Sequence, residues 1–116
     1  MRTIRVQTRA AATADDAFEA LMGLDSRWCV PFRGRAICWA VRNEPGSDRR
    51  AIAFTHAAGD DLRDITGAWR ISSAPDGCEV VFEATFDVGV PIYDRILDPL
   101  VEKVLADHVR AIVARL

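Results

Sequence analysis

The chain has 116 residues, half of them apolar and 28% charged, with a formal net charge of −2. This fits one domain, 1–116, with apolar mass enough for a single core. A near-neutral balance without a basic run excludes the electrostatic footprint of a nucleic-acid partner, and no run of 18 apolar residues offers insertion into a membrane.

Met1-Arg2 leads straight into an alternating segment, so no secretion signal is expected. Cys29, Cys38 and Cys78 are odd in number and show neither metal-ligand spacing nor a C-x-x-C. The expectation is reduced thiols in a cytoplasmic protein.

Ile4, Val6 and Thr8 alternate with Arg5, Gln7 and Arg9, a half-buried strand over residues 2–10. Thr13 with Asp15 and Asp16 reads as a capped helix start; Phe18, Leu21 and Met22 share a face, and Gly23 ends the helix. Residues 24–35 have no clean period and read as a loop or broken short helix carrying Trp28 and Phe32. Four strands are then expected, over residues 35–43, 49–57, 62–72 and 78–88. Their inward positions include Trp39, Ile52, Phe54, His56, Ile65, Trp69, Val80, Phe82 and Phe86, and turns at Pro45-Gly46 and Pro75-Asp76-Gly77 make the sheet antiparallel.

Residues 91–116 form the longest predicted element. Leu97, Val101, Val104, Leu105, Ile112 and Leu116 recur at helical spacing, with Glu102, Lys103, Asp107 and Arg110 opposite and His108 near the middle of the apolar stripe. Pro91 suits the first helical position, and Asp98-Pro99 predicts a break or bend. The order strand, short helix, four strands, long helix is solved by an α+β arrangement, a curved antiparallel sheet wrapped on the C-terminal helix. The gap between them is the default ligand site.

The run Ile65-Thr-Gly67-Ala-Trp69-Arg-Ile71, then Pro75-Asp-Gly77, Val80-Val-Phe82-Glu-Ala-Thr-Phe86-Asp-Val-Gly89-Val-Pro91 and Leu97-Asp98-Pro99, resembles the second half of START-like (SRPBCC) helix-grip proteins. The branch it is most similar to is the polyketide cyclase/dehydrase and aromatase/cyclase group. Trp39 and the segment Arg49-Arg50-Ala-Ile52-Ala-Phe54 are similar to that group's pair of strands with Trp and Arg-Ile-x-Phe. The resemblance implies a helix-grip fold of six or seven strands. Only five can be placed, so a domain shortened by about one hairpin, between Phe32 and Arg35, is expected. The group also tends to carry an inward Arg shortly after the strand Trp. Here Arg42 follows Trp39 by three, so plain alternation turns it outward unless a bulge intervenes.

Candidate catalytic residues are His108 and His56, either as proton-transfer groups or as core and rim histidines. Candidate ligand contacts are Trp28, Phe32, Trp39, Phe54, Trp69, Phe82, Phe86, Leu97, Val101 and Val104; the tryptophans serve either core packing or stacking on a planar ligand. Arg50 reads as a rim charge. No metal site, phosphate loop or nucleophile system is present in the sequence, so no cofactor is expected. The expected partner is a hydrophobic small molecule, with a cofactor-free cyclase or dehydratase of an aromatic or polyketide-type substrate as the first reading. A non-catalytic carrier or sensor of a quinone or lipid-like metabolite, or a homodimeric interaction module, are the rivals. A chain this short could also fill its own interior and leave no cavity.

Overall fold

The computed structural model describes residues 2–24, 27–32, 35–58, 64–87 and 94–116, with side chains except at residues 2, 30–32, 35–37, 58 and 94–98. The elements are β1 (Arg2–Ala10), α1 (Ala14–Met22), β2 (Arg27–Phe32), β3 (Arg35–Pro45), β4 (Ala51–Ala58), β5 (Asp64–Ala74), β6 (Gly77–Asp87) and α2 (Asp94–Ala114). The strands form one sheet in the order β1-β6-β5-β4-β3-β2, antiparallel at every pairing.

β6 shows how the sequence dictates the sheet. Cys78, Val80, Phe82, Ala84 and Phe86 are buried, while each intervening residue is half-exposed. On the outer face Arg5 pairs with Glu83 at 3.1 Å, Gln7 donates to Glu79 at 2.8 Å, and Thr3 meets Thr85. Exposed pairs of this kind add little stability; the buried alternation holds the register, because a one-residue slip would expose the whole inner face.

α1 begins where Thr13, in extended conformation, accepts a hydrogen bond from the Asp16 N–H at 3.2 Å. Its Ala14, Ala17, Phe18 and Leu21 are buried against β4, β5 and β6. The β3–β4 turn is fastened to this helix. Arg49, at φ 58°, lays its guanidinium over the Phe18 ring and pairs with Glu19, and Arg50 reaches Asp15 at 2.8 Å. Arg50 is therefore a rim charge committed to α1.

Gly67, on the inner face of β5, lies between Phe54 and Ala84 across the sheet. A Cβ there would come within 2.8 Å of the Phe54 ring and 2.0 Å of the Glu83 carbonyl oxygen. The missing side chain is what lets the Phe54 ring approach the strand this closely.

α2 packs on β1 and β6 at one side of the sheet and on β2 at the other. Val101, Leu105, Val109, Ile112 and Val113 are its buried face. The stripe is thus rotated from the sequence expectation: Val109 is fully buried, and His108 sits half-buried at the stripe's edge rather than its centre. The helix is assigned without interruption through Pro99. A proline so near the N-terminus removes only the one N–H bond that would have gone back to Arg95, so of the expected break or bend the helix shows no break.

Two further expectations are corrected. Residues 24–35 hold a strand, β2, which raises the count from five to six and supplies a β2–β3 hairpin where the sequence predicts a missing one. Bulky residues at consecutive positions and Pro31 hid it; β2 is an edge strand, where proline is tolerated. The cysteines are not all reduced: Cys29 and Cys38 face each other in the hairpin, 4.2 Å apart at Cα, and form a disulfide, while buried Cys78 stays free. A separation of nine residues signals nothing until hairpin register places the two opposite.

Closing so short a loop restricts the unfolded chain by roughly 2–3 kcal/mol in the chain-entropy account. The Cys29→Ser/Cys38→Ser double variant is expected to unfold at lower urea concentration by about that free energy, with native far-UV circular dichroism. An unchanged midpoint would show that the bridge contributes no net stability.

Candidate functional site

The inner face of the sheet converges on one aromatic cluster. Trp28 of β2 stacks on Trp39 of β3 at 5.8 Å between ring centroids and on Phe82 of β6 at 6.1 Å. Trp69 meets Phe82 edge-on at 4.7 Å, and Phe54 stacks on Phe82 at 5.4 Å. These are favourable offset or edge geometries. Alternation brings the five rings together, because each sits at an inward position of a different strand.

The rings surround a cavity of only about 10 Å³, lined also by Leu21, Leu24, Val41, Asn43 and Ile65. That is room for about one water molecule. Of the sequence candidates, Trp28, Trp39, Phe54, Trp69 and Phe82 line it. Phe86 and Val101 are buried and Val104 is half-buried, but none of these three lines the cavity. The side chains of Phe32 and Leu97 lie outside the described residues. Asn43 escaped the sequence reading; its signal was a polar residue four after Trp39, on the same face of a strand.

Arg42 is exposed. A bulge does occur here, but it passes over Ala57 of β4, since Ala40 pairs with Ala58 and Val41 with His56. The alternation of β3 is untouched, so Arg42 points outward.

The two histidines do not meet. His56, half-buried on β4, has a buried Nε2 with no hydrogen-bond partner among the described residues. Its cross-strand partner Val41 lines the aromatic cavity, but His56 does not. His108 lies edge-on to Trp28 at 5.5 Å between ring centroids. It opens on a separate groove of about 200 Å³, lined by Leu24, Arg27, Trp28, Cys29, His108, Ile112 and Arg115. Leu24 and Trp28 belong to both spaces and form the wall between them. Among the described residues no group of three or more metal-ligating side chains comes together, and no helix is long and apolar enough to cross a membrane.

The family model for polyketide cyclase/dehydrase and lipid transport proteins matches residues 5–113. The chain belongs to that family. That family takes in polyketide cyclases, dehydrases and lipid-transport proteins. No curated protein matches the chain in sequence. Among solved structures, a protein from Thermus thermophilus superposes with a TM-score of 0.79 at 17% identity, over 96% of this chain and 91% of its own. The ZhuI aromatase/cyclase from Streptomyces sp. R1128 gives 0.76 at 17% identity, over 97% and 91%. A START superfamily protein from Mycobacterium smegmatis gives 0.71 at 13% identity, over 93% and 89%. These likenesses establish the curved six-stranded helix-grip sheet. The chain spans nearly the whole of the first two structures, so little of the expected shortening remains.

Burial holds the His108 imidazole below its ordinary pKa, and the positive charge of Arg115 pushes the same way. A base with a depressed pKa binds fewer protons folded than unfolded, so stability rises with pH between the folded and unfolded values. As pH falls from neutrality through the ordinary imidazole range, the protein is expected to lose stability. His108→Gln should flatten that part of a plot of denaturation midpoint against pH; an unaltered slope would show that His108 is not its source.

Proposed function

We propose that this protein binds a planar, mainly hydrophobic molecule of aromatic or polyketide type in the aromatic space on the inner face of the sheet, and promotes its cyclisation or dehydration without a cofactor. The observation that carries the proposal is the convergence of Trp28, Trp39, Phe54, Trp69 and Phe82 on one internal space in a chain of this family. Flat aromatic walls suit a flat ligand, and holding a flexible chain folded is itself a large share of such catalysis.

A space of about 10 Å³ admits no such ligand as it stands. Entry therefore requires a wall to move, and Trp28 is the candidate. It sits on the edge strand, and at 8% exposure it is the most accessible of the three indoles, against 1% for Trp39 and 2% for Trp69. Swinging Trp28 aside would join the interior to the groove and bring the ligand against His108. An imidazole whose neutral form is favoured by burial is fitted to accept a proton from an activated C–H and return it to a departing oxygen. His56, with its unpartnered buried nitrogen, is the second candidate for that role.

That neither histidine lines the aromatic cavity favours one rival, a non-catalytic carrier of a quinone or other aromatic metabolite, which needs the aromatic walls but no proton transfer.

Titration with polyphenols, quinones and fatty acyl compounds, followed by tryptophan fluorescence, is expected to give saturable quenching by a planar aromatic class. No response from any class would overturn ligand binding. With the responding compound, His108→Ala is expected to stay folded and lose at least about tenfold in turnover. Equal turnover in the folded variant would remove His108 from the mechanism, and binding without chemical change would establish the carrier.

A further inference from the structure

The Cys29–Cys38 bridge lies next to the tryptophan that separates the interior from the outer groove. Cys29 and Cys38 are directly opposite in the β2–β3 hairpin. The next rung away from the turn is Trp28 opposite Trp39, whose rings stack at 5.8 Å. Only one further rung, Arg27 opposite Ala40, lies beyond the tryptophans, so Trp28 sits near the open end of the hairpin. Strand ends of this kind fray first. β2 pairs with β3 alone, and with the bridge in place fraying stops at Cys29, one residue from Trp28. Without the bridge, β2 is held to β3 by its ladder and its packing alone, and opening can run on toward the turn and carry Trp28 with it.

The bridge is also open to chemistry from one side. Cys29 is exposed and lines the groove of about 200 Å³, whereas Cys38 is half-buried. A disulfide sulfur within reach of a dissolved thiolate is of the labile, exchangeable kind. The free thiol of Cys78 is not the attacking group: it is buried on β6, and β5 and β4 lie between that strand and β3. The attacking thiol must come from outside the protein.

We propose that the Cys29–Cys38 bridge is a reversible latch on Trp28, released by a low-molecular-weight thiol that attacks Cys29 from the groove. The thiolate bonds to the Cys29 sulfur, the Cys29–Cys38 bond breaks, and Cys38 leaves as a thiolate that takes up a proton. A second thiol attacks the added sulfur and releases the Cys29 thiol, so two external thiols are oxidised to their disulfide and one protein disulfide is reduced. With the bridge closed, Trp28 is held on Trp39, Trp69 and Phe82. With it open, β2 frays more often and the wall moves with it. The latch rests on the reading of Trp28 as the way into the interior, and it makes that entry depend on thiol redox state.

The test is native-state hydrogen exchange, followed by NMR on the intact protein without ligand, before and after reduction by dithiothreitol. The Cys29→Ser/Cys38→Ser variant serves as a second form without the bridge. In both bridge-free forms the Trp28 indole N–H is expected to exchange at least about tenfold faster than in the oxidised protein. It should do so with little dependence on added urea, as a local opening that exposes little surface does, while the slowest α2 amides keep the full urea dependence of global unfolding. With glutathione as the thiol, mass spectrometry is expected to find the first adduct on Cys29. Trp28 exchange unchanged by reduction, or exchange with the same urea dependence as the slowest α2 amides, would overturn the latch. So would a first adduct on Cys38, or a bridge that dithiothreitol leaves intact in the folded protein. An aromatic compound that quenches the tryptophans is expected to associate about tenfold faster with the reduced protein; equal rates would overturn the latch as a gate. Release of Trp28 on reduction with no aromatic compound binding in either state would support the latch and overturn the reading of the interior.

Discussion

One helix has to cover both sides of one curved sheet, and the rest of the molecule follows from that. α2 packs on β1 and β6 near one edge and on β2 at the other. Five of its side chains are buried, Val101, Leu105, Val109, Ile112 and Val113. At about 1.5–3 kcal/mol for each apolar side chain removed from water, that stripe is comparable to the entire net stability of a small domain. Lifting the helix away from the sheet would therefore amount to unfolding, so any access to the interior must come from elsewhere.

β2 is the element that adjoins both spaces. It is an edge strand, its hydrogen bonds go to β3 alone, and it carries the one tryptophan that touches both the interior and the outer groove. The opposite edge, β1, pairs with β6 over nine residues, against six for β2 with β3. The Cys29–Cys38 bridge restricts β2 by tying it to β3 one residue from the Trp28–Trp39 stack. The position of Trp28 thus combines three constraints: packing on Trp39, Trp69 and Phe82, the edge contact with His108, and a covalent link next door.

The chemistry divides along the same wall. Inside it are aromatic rings and Asn43, suited to stacking and one polar contact. Outside it the groove is lined by His108, with Arg27, Cys29, Ile112 and Arg115.

The sequence by itself determined whatever depends on local period. Strict alternation from Cys78 to Phe86 set β6 and its inner face, Thr13 set the start of α1, and helical spacing from Val101 to Ile112 set α2. The order of these elements, with the motifs around Trp69 and Phe82, already implied the family's fold. Only the tertiary structure decided what depends on register and distance. β2 has no period of its own and becomes a strand by pairing with β3; Cys29 and Cys38 become partners because that hairpin sets them opposite. His108 opens on the outer groove by the rotation of a helix while His56 lines neither space, and the five rings close to leave about 10 Å³ because side chains from separate strands interdigitate. Periodicity says which way a side chain points, but not how much room remains where several of them meet.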